Sequence, residues 1–125
     1  MKELSEAEWH VLESLWENSP KVGSQIVADM EIKKGWSRST TLTMLRRMTD
    51  KGLIACDDSG KMKTYTSLVH RDEAVKKETE NFLNRVYHGS IGMLLNSFVE
   101  RQKLTDEEIK ALRQILDQAD KECGK

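Results

Sequence analysis

Residues 36–68 read WSRSTTLTMLRRMTDKGLIACDDSGKMKTYTSL, and the reading of this stretch decides the fold. Its first half has a helical period. Ser37 is placed to cap a helix running to about Asp50, in which Met44, Leu45 and Met48 make an inward stripe, with Thr41 one turn earlier. Lys51-Gly52 ends it, and Gly52 suits a left-handed C-terminal cap. The period then changes. Leu53-Ile54-Ala55-Cys56 and Lys63-Thr64-Tyr65-Thr66-Ser67-Leu68 are short strand-like runs, separated by the turn residues Asp57-Asp58-Ser59-Gly60. A helix followed at once by a hairpin is the second half of a winged helix-turn-helix.

Upstream, two further helices complete that order. Ser5-Glu6-Ala7-Glu8 is a capping box, in which the Ser5 hydroxyl and the Glu8 carboxylate each satisfy a free amide. Trp9, Leu12, Leu15 and Trp16 follow at helical spacing, and Asn18-Ser19-Pro20 stops the run. Ser24 is positioned to cap a short second helix with Ile26, Val27 and Met30 on its apolar side, broken at Lys33-Lys34-Gly35. Helix, helix, helix, hairpin predicts a winged-helix DNA-binding domain over residues 1–70.

Residues 71–125 predict three more helices and a dimerisation domain. One runs from about Asp72 to Tyr87, with Val75, Phe82, Leu83 and Val86 as its apolar side, and His88-Gly89-Ser90 breaks it. A second covers about Ser90 to Arg101 and carries Leu94, Leu95 and Phe98. Thr105-Asp106-Glu107-Glu108 is another capping box, opening a last helix with Ile109, Leu112, Leu116 and Ala119 at three- and four-residue steps. Three such helices with no sheet to wrap make a poor core alone. Pairing of Phe82, Leu83, Val86, Leu94, Leu95, Phe98, Ile109, Leu112 and Leu116 with a second copy is the economical way to bury them. The predicted class is therefore mainly α: a winged helix-turn-helix of three helices and a β-hairpin wing, then a three-helix dimerisation region.

Composition agrees with a folded, helix-rich chain: 125 residues, 38% hydrophobic and 33% charged, with one proline. No apolar run approaches the ~20 residues needed to span a bilayer, and Met1-Lys2-Glu3-Leu4-Ser5 lacks the apolar core of a signal peptide. These features predict a cytoplasmic protein with no membrane insertion. Cys56 and Cys123 are far apart, and His10, His70 and His88 are scattered, so neither a metal nor another cofactor is expected. The chain holds no nucleophile elbow, no HExxH and no phosphate-binding glycine loop, so it is not expected to be an enzyme.

The formal net charge of −1 is unhelpful to a DNA binder, but its distribution is not. Between Gly35 and Thr66 stand six basic residues, Arg38, Arg46, Arg47, Lys51, Lys61 and Lys63, against three acidic ones, Asp50, Asp57 and Asp58. Specific DNA binding needs charge at the contact, not over the whole chain. The second helix of a helix-turn-helix enters the major groove. With Met44, Leu45 and Met48 facing in, the outward residues include Arg38, Ser39, Thr40, Thr43, Arg46 and Arg47. Short hydroxyls suit phosphate and base-edge contacts, and arginines span guanine or grip phosphate. Thr40, Thr43 and Arg47 lie at i, i+3 and i+7 and can share one stripe. In the wing, Lys61 and Lys63 suit phosphate or the minor groove, whereas Asp57 and Asp58 do not.

An ordered set of motifs carries a family resemblance. Ser5-x-Ala7-Glu8-Trp9, Leu15-Trp16, Trp36-Ser37-x-x-Thr40-x-x-Thr43-x-x-x-Arg47-Met48, Lys51-Gly52 and Gly60-Lys61-x-x-x-Tyr65 are followed by Phe82-Leu83-Asn84-Arg85-Val86-Tyr87-x-Gly89 and Leu104-Thr105-x-x-Glu108-Ile109-x-x-Leu112. Together they resemble the penicillinase repressor family, which includes repressors of β-lactamase and methicillin-resistance genes and copper-responsive repressors. The resemblance implies a homodimeric transcriptional repressor that occludes a palindromic double-stranded DNA operator, with DNA contacts at Thr40, Thr43 and Arg47. Two positions depart from the pattern. Ser39 stands where a lysine is frequent, and Leu42 where a polar or basic residue is frequent. Leu42 is open to two readings, contact with a thymine methyl or inward packing.

The β-lactamase branch is relieved by proteolysis in the middle C-terminal helix, after an Asn that precedes a Phe. By alignment the bond falls at Ser97–Phe98, with Asn96 one position earlier. That branch implies a β-lactam-resistance operon as target and a membrane-bound metalloprotease sensor as partner. The copper-responsive branch shares a C-terminal cluster of four cysteines, where this chain has Cys123 alone. A copper-responsive or other stress-responsive repressor of the same family is the alternative.

Overall fold

The computed structural model describes residues 3–122. Six helices and three short strands follow in the order α1 (Glu6–Glu17), β1 (Lys21–Val22), α2 (Gly23–Lys34), α3 (Arg38–Lys51), β2 (Ile54–Asp57), β3 (Thr64–Ser67), α4 (Arg71–Tyr87), α5 (Ile91–Glu100) and α6 (Asp106–Glu122). The chain divides into two compact units between Thr79 and Glu80, within α4.

The first unit is the winged helix, with one strand more than the hairpin predicted from sequence. β1 pairs antiparallel with β3, Lys21 opposite Tyr65, to make a sheet of order β1-β3-β2. A two-residue strand is too short to show a period, so only tertiary pairing reveals it. In β2–β3, Cys56 stands opposite Tyr65 and Asp57 opposite Thr64. The core gathers Val11, Leu12 and Leu15 of α1, Ile26 and Met30 of α2, Leu45 and Met48 of α3, Ile54, Tyr65, Val69 and Ala74. The start of α4 thus belongs to this unit, through Ala74. Trp9 and Trp16 pack edge to face against the cluster, ring centroids 5.3 Å apart, and Trp16 Nε1 donates to the Val69 carbonyl at 2.9 Å.

Local signals explain most element ends. Glu8 N donates to Ser5 Oγ and Ser5 N to Glu8 Oε1, the reciprocal capping box. Ser37 Oγ accepts from Thr40 N to open α3. Gly52 closes α3 at φ 81°, and Leu53 N reaches back to the Met48 carbonyl at 3.0 Å, a turn that a side chain at residue 52 would strain. The expected cap at Ser24 is not used. α2 starts two residues earlier, capped at Val22 with no side-chain bond, because Val22 enters the helix directly from its pairing with Thr64.

Glu8 does more than cap. Its side chain is buried, and Oε2 accepts from Lys51 Nζ at 2.7 Å, tying the start of α1 to the end of α3. Burial alone would raise its carboxyl, but Lys51 and the Ser5 amide outweigh it and hold it below the ordinary 4.5. A carboxyl lowered in the folded state stabilises the fold above pH 4.5, and that contribution fades as the pH falls through the folded value. Glu8→Ala is expected to cost about 2 kcal/mol, leaving the Ser5 amide unsatisfied and Lys51 unpaired. Urea unfolding at pH 7 and pH 3 checks this: the gap between wild type and variant should narrow in acid.

The second unit holds the end of α4 with α5 and α6. His88 and Gly89 take positive φ, 53° and 83°, and Ser90 caps α5 by accepting from Met93 N. Thr105 and Glu108 form the predicted second capping box. No side chain of α5 or of the described part of α6 is buried. Leu94, Leu95 and Phe98 line an open apolar cleft of about 320 Å³ together with Leu104, Ala111 and Leu112.

Candidate nucleic-acid interface

α3 is anchored on one side and free on the other. Thr41, Leu45 and Met48 are buried, and Met44 packs against the core. Turning 100° per residue from that face puts Ser39, Thr43, Arg46 and Asp50 outermost, with Thr40 and Arg47 on one flank and Arg38 and Leu42 on the other. Arg38, Ser39, Thr40, Arg46 and Arg47 are exposed. Thr43 is half-buried, a short side chain among longer neighbours.

The electrostatics divide the basic residues into two groups. Lys21, Lys33 and Lys51 pair with Asp29, Glu17 and Glu8 at 2.7–2.8 Å. Arg38, Arg46, Arg47, Lys61 and Lys63 make no ion pair among the described residues. Pairing serves the fold in the first group. In the second, charge is held out in solvent on α3 and the wing. The hydroxyls follow the same logic. Ser37 Oγ donates to Thr40 Oγ1 at 3.0 Å, so the Thr40 proton stays available as an outward donor.

The wing loop between β2 and β3 is shaped by one of its acidic residues. Asp57 Oδ1 accepts from Ser59 Oγ at 2.7 Å and from Ser59 N at 2.9 Å. Those two bonds, the side-chain one foremost, hold the Asp57 carboxyl below its ordinary value. The carboxylate that looked adverse to an anion is therefore a turn former. Lys61, Met62 and Lys63 are exposed beyond it.

Glu8 and Lys51 were not singled out from the sequence as parts of a site, yet their ion pair helps fix where α3 stands. No sequence signal marks it, since the partners are 43 residues apart. The buried Lys21 was also missed: its partners Ser14 and Asp29 lie in the helices before and after it, and only the packing of α1 against α2 brings them together. Leu42 is 38% exposed, which rules out full inward packing. The residues expected to dimerise all lie outside the first core: Leu83, Leu94, Leu95, Ile109 and Leu112 are half-buried, and Phe82, Val86, Phe98 and Leu116 exposed. Ser97 and Phe98 are both helical, within α5. Among the described residues no three His, Cys, Asp or Glu side chains gather as metal ligands, and no helix is long and apolar enough to cross a membrane. Cys56 is an exposed free thiol, and Cys123 lies outside the described residues.

A winged helix with unpaired arginines and outward hydroxyls on its second-motif helix is the architecture of DNA-binding transcriptional regulators. A family model described as penicillinase repressor matches residues 4–118. The chain belongs to the penicillinase repressor family. It is 35% identical over 114 residues to the methicillin resistance regulatory protein MecI of Staphylococcus aureus, covering 91% of this chain and 93% of that one. With the penicillinase repressor of Bacillus licheniformis it shares 29% over 116 residues, 93% of this chain and 91% of that one. The fold resembles the solution structure of the DNA-binding domain of the repressor BlaI, with TM-score 0.51 and 26% identity over 56% of this chain and 85% of that one. It likewise resembles monomeric Bacillus licheniformis BlaI in complex with the blaP half-operator, with TM-score 0.52 and 25% identity over 58% of this chain and 88% of that one.

Proposed function

We propose that this chain is a homodimeric, cytoplasmic transcriptional repressor that occludes a palindromic operator, one half-site per protomer, and controls a β-lactam-resistance operon. The observation that carries the reading is the outward face of α3: three arginines without carboxylate partners among the described residues, beside exposed hydroxyls, on a winged helix. The relatives named for penicillinase and methicillin resistance, and the BlaI structure with its half-operator, support the same assignment. Ser39, Thr40, Thr43, Arg46 and Arg47 read or orient the half-site, Arg38 adds charge beside them, and Lys61 and Lys63 of the wing hold phosphates. Arg47→Ala is expected to weaken operator binding about tenfold or more, the range of one lost arginine contact. Fluorescence anisotropy on the operator at two salt concentrations tests it. Unchanged affinity would remove Arg47 from the reading surface.

Dimerisation rests on the apolar side chains of residues 71–125. Phe82, Val86, Phe98 and Leu116 are 40%, 45%, 43% and 62% exposed in a single chain, a poor state for residues of this kind. Relief is assigned to cleavage at Ser97–Phe98 by a membrane-bound metalloprotease. α5 is ten residues long and buries no side chain, so opening it into a protease cleft costs little. Membranes carrying the cognate sensor should cut the chain between residues 97 and 98. An intact chain would sink the cleavage while leaving DNA binding untouched.

A further inference from the structure

α3 carries one apolar side chain that the core leaves out. Leu42 is 38% exposed, whereas Leu45 is 1% and Met48 0% exposed. It stands one turn after Arg38 and one turn before Arg46, so the three share a strip of the helix, with Ser39 and Thr43 beside them. Neither arginine has a carboxylate partner among the described residues. Such a strip suits another protein's apolar surface badly, because docking there would bury guanidinium groups without counter-charge. It suits a surface that is anionic and carries a small apolar knob between acceptors. The major groove has that character wherever a thymine occurs: its 5-methyl group projects near guanine O6 and N7 edges and is flanked by phosphates.

We propose that Leu42 is a specificity-determining residue that packs on the 5-methyl group of one thymine in each half-site. Arg38 and Arg46 hold it there through phosphate or guanine contacts. This rests on the DNA-binding function proposed for α3. The departure from the family's polar or basic residue at Leu42 then becomes a change in which base is read.

The test works on an operator of unknown sequence. The full-length protein selects duplexes from a random-sequence pool, and each thymine of the enriched half-site is replaced in turn by deoxyuridine, which removes only the methyl group. One replacement should weaken wild-type binding about fourfold, the value of one buried methyl group. Leu42→Ala should bind the unmodified site more weakly by a similar factor and be indifferent to that replacement. Leu42→Met, which keeps an apolar tip on a good helix former, should retain the penalty. Thermal unfolding of both variants checks that the fold is intact. A pool with no enriched sequence would overturn the DNA-binding reading and this inference with it. An enriched site in which no methyl group matters, or a methyl penalty undiminished in Leu42→Ala, would overturn the assignment of Leu42 alone.

Discussion

A chain ending at Ser97 is expected to bind its operator at least a hundredfold more weakly than the full chain, while its N-terminal unit stays folded. The cut removes Phe98, Leu104 and all of α6, and with them one wall of the apolar cleft beside Leu94 and Leu95. Two tethered reading heads gain about 10²–10⁴ in affinity over one, because the second binds at an effective concentration set by the tether. Losing the tether returns each head to a single half-site. The same cut should halve the salt dependence, since the slope scales with the phosphates neutralised. Sedimentation of the free chain and anisotropy on full and half operators measure both effects. Equal affinity and equal salt slope for the cut and full chains would separate repression from dimerisation. The helical signal and thermal transition of the first unit should persist, because its core ends at Ala74.

Asp29→Ala is expected to destabilise the winged helix by roughly 3 kcal/mol. Lys21 is 8% exposed, and its ammonium spends all three protons inside the protein. They go to the Ser14 carbonyl at 2.8 Å, Ser14 Oγ at 2.9 Å and Asp29 Oδ2 at 2.8 Å. Ser14 Oγ and Gln25 Nε2 also donate to Asp29, so one cluster joins α1, β1 and α2. Removing the carboxylate strands a buried cation, whereas Lys21→Met removes the charge and fills the space with carbon. The second change should therefore cost much less, about 1 kcal/mol, although each substitution deletes three hydrogen bonds. Burial by itself would raise the Asp29 carboxyl, but Lys21, Ser14 and Gln25 together hold it below its ordinary 3.8. Its stabilisation is thus complete above pH 3.8 and lost as the pH falls through the folded value. Denaturant midpoints for the two variants should rank Asp29→Ala well below Lys21→Met at pH 7 and draw together in acid. The reverse ranking would mean that the cluster is solvated rather than buried.

The sequence by itself determined the helices, the hairpin and the face of α3 that points away from the core. Periods of 3.6 and 2, two capping boxes and a glycine at residue 52 act within a few residues, so a one-dimensional reading reaches them. It also placed Arg38, Arg46 and Arg47 on one helix and Lys61 and Lys63 on the wing. Only the tertiary structure decided which charges are free. Lys51 and Arg47 look alike in sequence, yet Lys51 is bound to Glu8 from another helix and Arg47 has no such partner among the described residues. The same holds for β1, whose two residues become a strand only opposite Tyr65. Leu42 is the sharpest case. Helical spacing left it between core and solvent, and the packing of Thr41, Leu45 and Met48 turned it outward between two arginines. Those outcomes depend on partners tens of residues away, which long-range packing brings together and local pattern does not record.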